Sequence, residues 1–173
     1  YWNEGNIPWF RMEDIRSNGR ILNDSIQHIT PLAVKSGKLF PANSILMAIY
    51  AAPTVGRLGI LTKEACFNQA AVGCVSDPEI FGYEYLFLAL QSKRDLINSL
   101  SNGAAQQNIS VQIVKELMIL CAPKYLNDSF KKIIKDLFNI IKGNLDEIEI
   151  LSLKKNILQE NLISGNLIIK CQI

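Results

Sequence analysis

Amide side chains and one arginine are the residues of this chain best suited to recognition by hydrogen bonding. Residues 102–108 read N-G-A-A-Q-Q-N, and Asn68 and Gln69 form a second amide pair. Asn and Gln amides can make paired hydrogen bonds with adenine in the major groove of DNA, and Arg57 can pair with guanine or a phosphate. One hypothesis is therefore that these segments recognise bases. The alternative is that they are ordinary polar loops.

Residues suited to catalysis or metal binding are scarce. His28 is the single histidine, and its polar surroundings favour a surface or turn position over a Ser-His-Asp or Cys-His centre. The four cysteines, at positions 66, 74, 121 and 171, include no C-x-x-C pair, so we expect buried free thiols and no zinc site. The chain has no G-x-x-x-x-G-K-[ST] or G-x-G-x-x-G motif. We expect no catalytic residue, no metal and no cofactor.

Composition indicates a folded chain without a strong charge. Of 173 residues, 49% are hydrophobic and 20% charged, and the formal net charge is +2. This near balance excludes the strongly basic signature of proteins that bind nucleic acid through phosphates alone. The uncharged stretches are too polar for a membrane span and the first residues do not form a signal peptide, so we expect a cytoplasmic protein without a membrane partner.

The first part of the chain, residues 1–123, is predicted to be a compact α+β domain. Short apolar runs alternate there with Gly, Pro, Asn and Asp, which predicts strands at 19–22, 44–50, 57–61, 67–75 and 117–122. Leu86, Leu90, Ile97 and Leu100 repeat at helical spacing. We expect one helix from after Pro78 to about residue 102, with this stripe packed on the sheet.

The second part, residues 124–173, is predicted to be a long coiled-coil-like helix with a C-terminal tail. Between residues 127 and 162, apolar side chains recur in steps of four and three. Such a helix is longer than a small domain, so we expect a partner helix, with folding back onto the domain as the alternative. Gly143 predicts either a bend or a break into two helices. The expected partner surface comprises Ile134, Leu137, Ile141, Asn144, Ile148, Leu151 and Leu158.

Four short segments, spread over nearly the whole chain, follow one another in a recognisable order. They are G-N-I-P-W at 5–9, T-V-G-R-L-G-I at 54–60 with C-F-N-Q at 66–69, G-A-A-Q-Q-N-I at 103–109, and L-K-K-N-I-L-Q at 153–159. Together they resemble the specificity subunit of type I restriction-modification systems. In that family a target recognition domain of about this size reads one half of a split DNA site, and long helices space two such domains and dock the methyltransferase subunit.

The resemblance implies a non-catalytic subunit that binds double-stranded DNA, in a complex with methyltransferase and restriction/translocase subunits. Basic side chains would position the DNA backbone, and polar loop side chains would face the groove. The expected DNA-binding residues are Arg11, Lys35, Lys38, Thr54, Arg57, Asn68, Gln69, Asn102, Gln106, Gln107 and Asn108.

The family normally carries two recognition domains, but this chain shows no internal repeat. A half-length chain that dimerises through its long helix would read a palindromic split site. A fragment of a full subunit is the alternative. The rival function is an interaction module that dimerises through the helix and selects no DNA sequence.

Overall fold

The computed structural model describes residues 1–2, 4–17, 21–34, 37–50, 54–102 and 108–166. The chain divides into two compact units, Tyr1–Lys132 and Ile133–Ile173. The elements in chain order are β1 (Ile7–Phe10), α1 (Met12–Ser17), β2 (Ile21–Leu22), β3 (Gln27–Ile29), α2 (Pro31–Val34), β4 (Ile45–Ala48), β5 (Leu58–Leu61), β6 (Cys66–Phe67), β7 (Ala71–Cys74), α3 (Tyr83–Ser92), α4 (Arg94–Asn102), α5 (Val111–Lys115) and α6 (Lys124–Ile163). This is the α+β fold with a long C-terminal helix that the sequence predicts.

The first sheet is three-stranded, in the order β3-β1-β6, with β1 antiparallel to β3 and parallel to β6. Strands β1 and β3 are not among those predicted from the sequence. Pro8 within β1 lacks a backbone donor, which argues against a strand, and Q-H-I in β3 is short and mostly polar. Pairing with neighbouring strands, rather than local apolar periodicity, makes these segments extended.

The second sheet is four-stranded, in the order β2-β5-β4-β7. Its strands β4 and β5 are buried at every position, as expected for continuous apolar runs, and they confirm the predicted strands 44–50 and 57–61. β2 covers the described end of the predicted strand 19–22.

Two strand predictions were wrong. The predicted strand 67–75 is two strands in different sheets, because Asn68 starts a turn in which its Oδ1 accepts a hydrogen bond from Ala70 N at 3.1 Å. Residues 117–122 form no strand in the described structure. There the backbone carbonyl of Leu120 accepts a 2.6 Å hydrogen bond from the Tyr85 hydroxyl instead of pairing in a sheet.

The single helix predicted between Pro78 and residue 102 is also corrected. It is two helices, α3 and α4, separated at Lys93. At the end of α3 the Ser92 hydroxyl donates to the Ala89 carbonyl at 2.8 Å, a local hydrogen bond that competes with helix continuation. Of the predicted stripe, Leu86, Leu90 and Ile97 are buried and α3 packs on β5, but Leu100 is 45% exposed.

The long helix α6 contains 40 residues, which corresponds to about 60 Å. It begins at Lys124 and continues through Gly143, so the predicted break does not occur. Near its start, Asn127 Nδ2 donates to the carbonyls of Ile80 at 3.2 Å and Ala122 at 2.9 Å. These bonds hold the first turn of the helix within the unit Tyr1–Lys132, which we call the α+β unit. Within the described residues, no helix is long and apolar enough to cross a membrane.

The cysteines depart in part from the expected buried thiols. Cys66 is buried, Cys74 is half-buried and Cys121 is exposed, while Cys171 lies outside the described residues. Burial raises the pKa of the Cys74 thiol to about 11, so this thiol stays protonated near neutral pH. Of these three thiols, that of Cys121 is the most accessible, because Cys121 is exposed.

Candidate functional site

Backbone hydrogen bonds bring several of the predicted DNA-binding residues to one edge of the two sheets. Asn68 N donates to Phe10 O at 3.1 Å, so Asn68 and Arg11 follow neighbouring strand ends. Ile49, which follows β4, donates to Ala70 O at 3.0 Å and accepts from Ile109 N at 3.0 Å. Ile49 thus joins the turn after β6 to the segment that follows the amide-rich loop.

The turn between β4 and β5 lies at the same edge. Gly56 has a φ of +77°, a conformation that favours glycine, and its N–H donates to Ala48 O at 2.9 Å. Ala48 N in turn donates to Arg57 O at 2.9 Å. We call residues 54–57, 68–70 and 108–109 the loop cluster. Two of the four segments that carry the resemblance, 54–60 with 66–69 and 103–109, therefore contribute to one edge, although they are far apart in the sequence.

Side chains in the loop cluster differ in what they present to solvent. Gln69 is exposed, Arg57 and Asn108 are half-buried, and Thr54 is only 5% exposed. Thr54 therefore has little side-chain surface, and its carbonyl accepts from Arg57 N at 3.0 Å within the turn. Asn68 uses its Oδ1 to hold Ala70 N.

Two of the predicted basic residues, Arg11 and Lys38, contact other side chains of the protein. Arg11 Nη2 lies 3.0 Å from Glu13 Oε2, and its buried Nε has no hydrogen-bond partner within the described residues. Lys38 Nζ lies 4.9 Å from the centroid of the Phe40 ring, and Lys38 borders a pocket of about 250 Å³ that Trp2 and Trp9 also line. Lys35, Gln106 and Gln107, and the side chain of Asn102, lie outside the described structure.

Arg94 is a neighbour of the loop cluster that is not among the DNA-binding residues expected from the sequence. It begins α4 and its side chain passes beside Gly56. Its sequence surroundings, S-K-R-D-L, are those of an ordinary helix surface, so only the fold indicates this position.

His28 lies on β3, where its Nε2 is 2.8 Å from Asp24 Oδ1. Lys63 Nζ lies 3.2 Å from the same oxygen. Burial raises the pKa of Asp24, but the hydrogen bonds from His28, Lys63 and the Ser25 backbone outweigh it and leave this pKa below its ordinary value. Among the described hydrogen bonds, none joins His28 to a serine or cysteine, and no group of three or more His, Cys, Asp or Glu there could hold a metal ion.

The expected partner surface on α6 consists largely of exposed apolar side chains. Leu137, Ile148, Leu151 and Leu158 are each at least half exposed, Ile141 is 38% exposed, and Ile134 is half-buried. Asn144 is exposed among them. Exposed leucines and isoleucines along one helix are typical of surfaces that bind another protein.

An α+β domain with polar loops at one edge, followed by a long helix with exposed apolar side chains, is typical of a binding module with a helical spacer. The chain belongs to the type I restriction modification DNA specificity domain family, whose model matches residues 1–150.

Individual proteins that resemble this chain in sequence or in fold are also type I specificity subunits. The chain is 54% identical over 69 residues to the specificity subunit of the type I restriction enzyme EcoprrI of Escherichia coli, a match that covers 40% of this chain and 17% of that protein. Its fold is similar to the HsdS subunit from Thermoanaerobacter tengcongensis, with TM-score 0.58, 14% identity, and coverage of 96% of this chain and 40% of that one. The type I S subunit from M. genitalium gives TM-score 0.59, 20% identity, and coverage of 93% and 39%. The chain spans about two fifths of the length of these solved structures.

Proposed function

We propose that this chain is the DNA-recognising part of a type I restriction-modification complex. Residues 1–123 bind one half of a bipartite site, and residues 124–173 connect this domain to the methyltransferase subunit. The observation that carries the proposal is the convergence of the loop cluster: Ile49 joins residues 68–70 and 108–109 through two backbone hydrogen bonds, and the neighbouring Ala48 bonds to Gly56 and Arg57. The restriction/translocase subunit completes the complex, which acts on DNA in the cytoplasm.

In this proposal, two kinds of side chain recognise the DNA. Amides such as Gln69 and Gln107 face base edges, where paired hydrogen bonds discriminate between bases. Arg57 holds either a guanine or a phosphate. The net charge of +2 supports few phosphate contacts, and the remaining affinity then comes from the partner subunits. The chain contributes no catalytic group, since its role is to position DNA for the subunits it docks.

Substitution of the proposed contacts tests this function in the assembled complex. We expect Arg57→Ala to weaken binding of the cognate duplex about 10-fold, and Gln107→Ala to relax the preference at one base pair. Competition binding against a library of duplexes measures both effects. Lys63→Ala, an exposed lysine at the opposite end of β5 from Arg57, is the matched control and is expected to change neither. The proposal is contradicted if Arg57→Ala and Gln107→Ala both leave affinity and sequence preference unchanged.

The exposed apolar side chains of α6 favour a second role in assembly, either with the methyltransferase subunit or with a second copy of this chain. The charges support an antiparallel second copy. Residues 124–142 contain five lysines and two acidic residues, whereas residues 143–163 contain four acidic residues and two lysines. Antiparallel pairing sets the basic half of one helix against the acidic half of the other, and two identical domains then read a palindromic split site.

Solution mass distinguishes these two partners. Light scattering at several concentrations is expected to give about 39 kDa, twice the 19.4 kDa of one chain. Leu137→Asp places a charge in the partner surface and is expected to shift the mass to that of the monomer. A monomer at every concentration rules out the homodimer and leaves the methyltransferase subunit as the partner of α6.

A further inference from the structure

The side chain of Arg94 passes over the turn that precedes Arg57. A Cβ atom built on Gly56 would lie 3.3 Å from Arg94 Cγ and 3.3 Å from Ile97 Cγ2. Glycine at position 56 therefore leaves room for the aliphatic part of Arg94. Because Gly56 directly precedes Arg57, the aliphatic part of Arg94 lies beside the residue that comes just before Arg57.

The backbone that carries Arg94 is firmly held. Ile97, one turn further along α4, is fully buried, and Ser101 on the same side of the helix is also fully buried. Ile97 N donates to Lys93 O at 2.9 Å. Arg94 itself is exposed, so a guanidinium with freedom to reach a ligand extends from a fixed position.

Neither arginine is neutralised by a carboxylate in the described part of the chain. The ion pairs found there join Arg11 to Glu13, Lys124 to Asp128, and His28 and Lys63 to Asp24. None of them includes Arg57 or Arg94. Arg94 contacts the turn that leads into Arg57, and the planar guanidinium suits a phosphate because it can donate two parallel hydrogen bonds.

We propose that Arg94 binds a backbone phosphate of the DNA duplex beside the contact made by Arg57. This inference rests on the proposed function, and it adds a positioning contact from α4 to the three segments of the loop cluster. A phosphate contact carries no sequence information, so Arg94 contributes equally to binding of every DNA sequence.

The test uses the full chain and a random-sequence 30-base-pair duplex, with binding measured by fluorescence anisotropy over a series of salt concentrations. Arg94→Gln removes the charge but keeps an aliphatic stem over Gly56. We expect it to weaken binding about 3- to 10-fold at low salt and to reduce the slope of log affinity against log salt by about 1. Arg94→Lys keeps the charge and is expected to stay within about 3-fold of the original chain.

Two further variants make the result specific. Lys63→Gln removes an equal charge from the opposite end of β5, where its surface ion pair with Asp24 contributes little, and it is expected to change affinity less than 2-fold, about the effect of net charge alone. Arg94→Met also keeps a stem over Gly56 and is a second neutral variant, in case Arg94→Gln fails to fold. Far-UV circular dichroism establishes that each variant is folded.

The outcomes separate this inference from the proposed function. If Arg57→Gln weakens binding but both neutral variants at Arg94 bind like the original chain, the Arg94 contact is wrong and DNA binding by the loop cluster stands. If Lys63→Gln weakens binding as much as Arg94→Gln, the effect is one of net charge and the contact is also wrong. If the original chain does not bind the duplex at low salt, the Arg94 contact is wrong, while the proposed function is decided by binding of the cognate duplex in the assembled complex.

Discussion

Replacing Gly5 by alanine is expected to lower the free energy of unfolding of the α+β unit by about 3 kcal/mol. A Cβ atom at Gly5 would lie 2.5 Å from the carbonyl carbon of Ile29 and 2.7 Å from that of His28. Both are backbone atoms of β3, which pairs with β1 in a register that includes Ile7 opposite Ile29. Backbone atoms cannot rotate away as a flexible side chain can, so the new methyl group must push the two strands apart.

Gly143 offers the matched control for the same substitution. It lies inside α6, and nothing is found within 4 Å of a Cβ built there. Gly143→Ala is therefore expected to stabilise the helix by up to about 1 kcal/mol, since alanine loses less backbone entropy than glycine.

Urea unfolding measures both variants with two probes. Tryptophan fluorescence reports on the α+β unit, because both tryptophans, Trp2 and Trp9, lie in it and their rings are in edge contact with centroids 4.9 Å apart. Circular dichroism at 222 nm reports largely on helix. Fluorescence midpoints that agree between Gly5→Ala and the original chain would contradict the close approach of Gly5 to β3. A loss confined to Gly5→Ala would explain why the G-N-I-P-W segment begins with glycine.

Asp14→Ala is expected to destabilise the same unit by about 3 kcal/mol. Asp14 is fully buried, and its two carboxylate oxygens accept hydrogen bonds from Arg11 N at 2.8 Å and Ile26 N at 2.9 Å. The carboxylate thus ties the start of α1 to the segment that enters β3. Alanine would leave both N–H groups without this acceptor, and each unsatisfied buried donor costs about 1 to 3 kcal/mol.

Two further substitutions, one at Asp14 and one at the adjacent Glu13, test whether the destabilisation comes from the hydrogen bonds of the Asp14 carboxylate. Asp14→Asn keeps one acceptor oxygen and replaces the other by a donor, so we expect a loss of about half the size. Glu13→Ala removes an adjacent carboxylate whose side chain is 65% exposed, and its ion pair with Arg11 is expected to contribute less than about 1 kcal/mol. Urea unfolding followed by tryptophan fluorescence compares all three. Equal midpoints for Asp14→Ala and Glu13→Ala would show that the buried hydrogen bonds of Asp14 do not stabilise the unit.

The elements that could be predicted from the sequence are those with a strong local pattern. The apolar runs of β4 and β5 and the long repeat of α6 appear where they were expected, because burial on both faces of a strand and a heptad repeat each leave a signature within one segment. The strands β1 and β3 carry no such signature. Their four and three residues become strands through pairing partners that are distant in the chain.

The same distinction applies to the candidate site. Its segments were selected from amide and arginine side chains and from their resemblance to a family, but nothing local indicates that residues 54–57, 68–70 and 108–109 share one edge. Arg94, in an ordinary helical sequence, could not be selected at all.

The sequence by itself therefore determined the family, the α+β character of the first part and the long helix of the second, because residue type and spacing act locally. Only the tertiary structure decided which loops meet at Ile49, that residues 67–75 divide between two sheets, and that Arg94 lies over Gly56. These features depend on strand pairing and helix packing between residues far apart in the chain, and a one-residue change in strand register would alter them while leaving every local pattern intact.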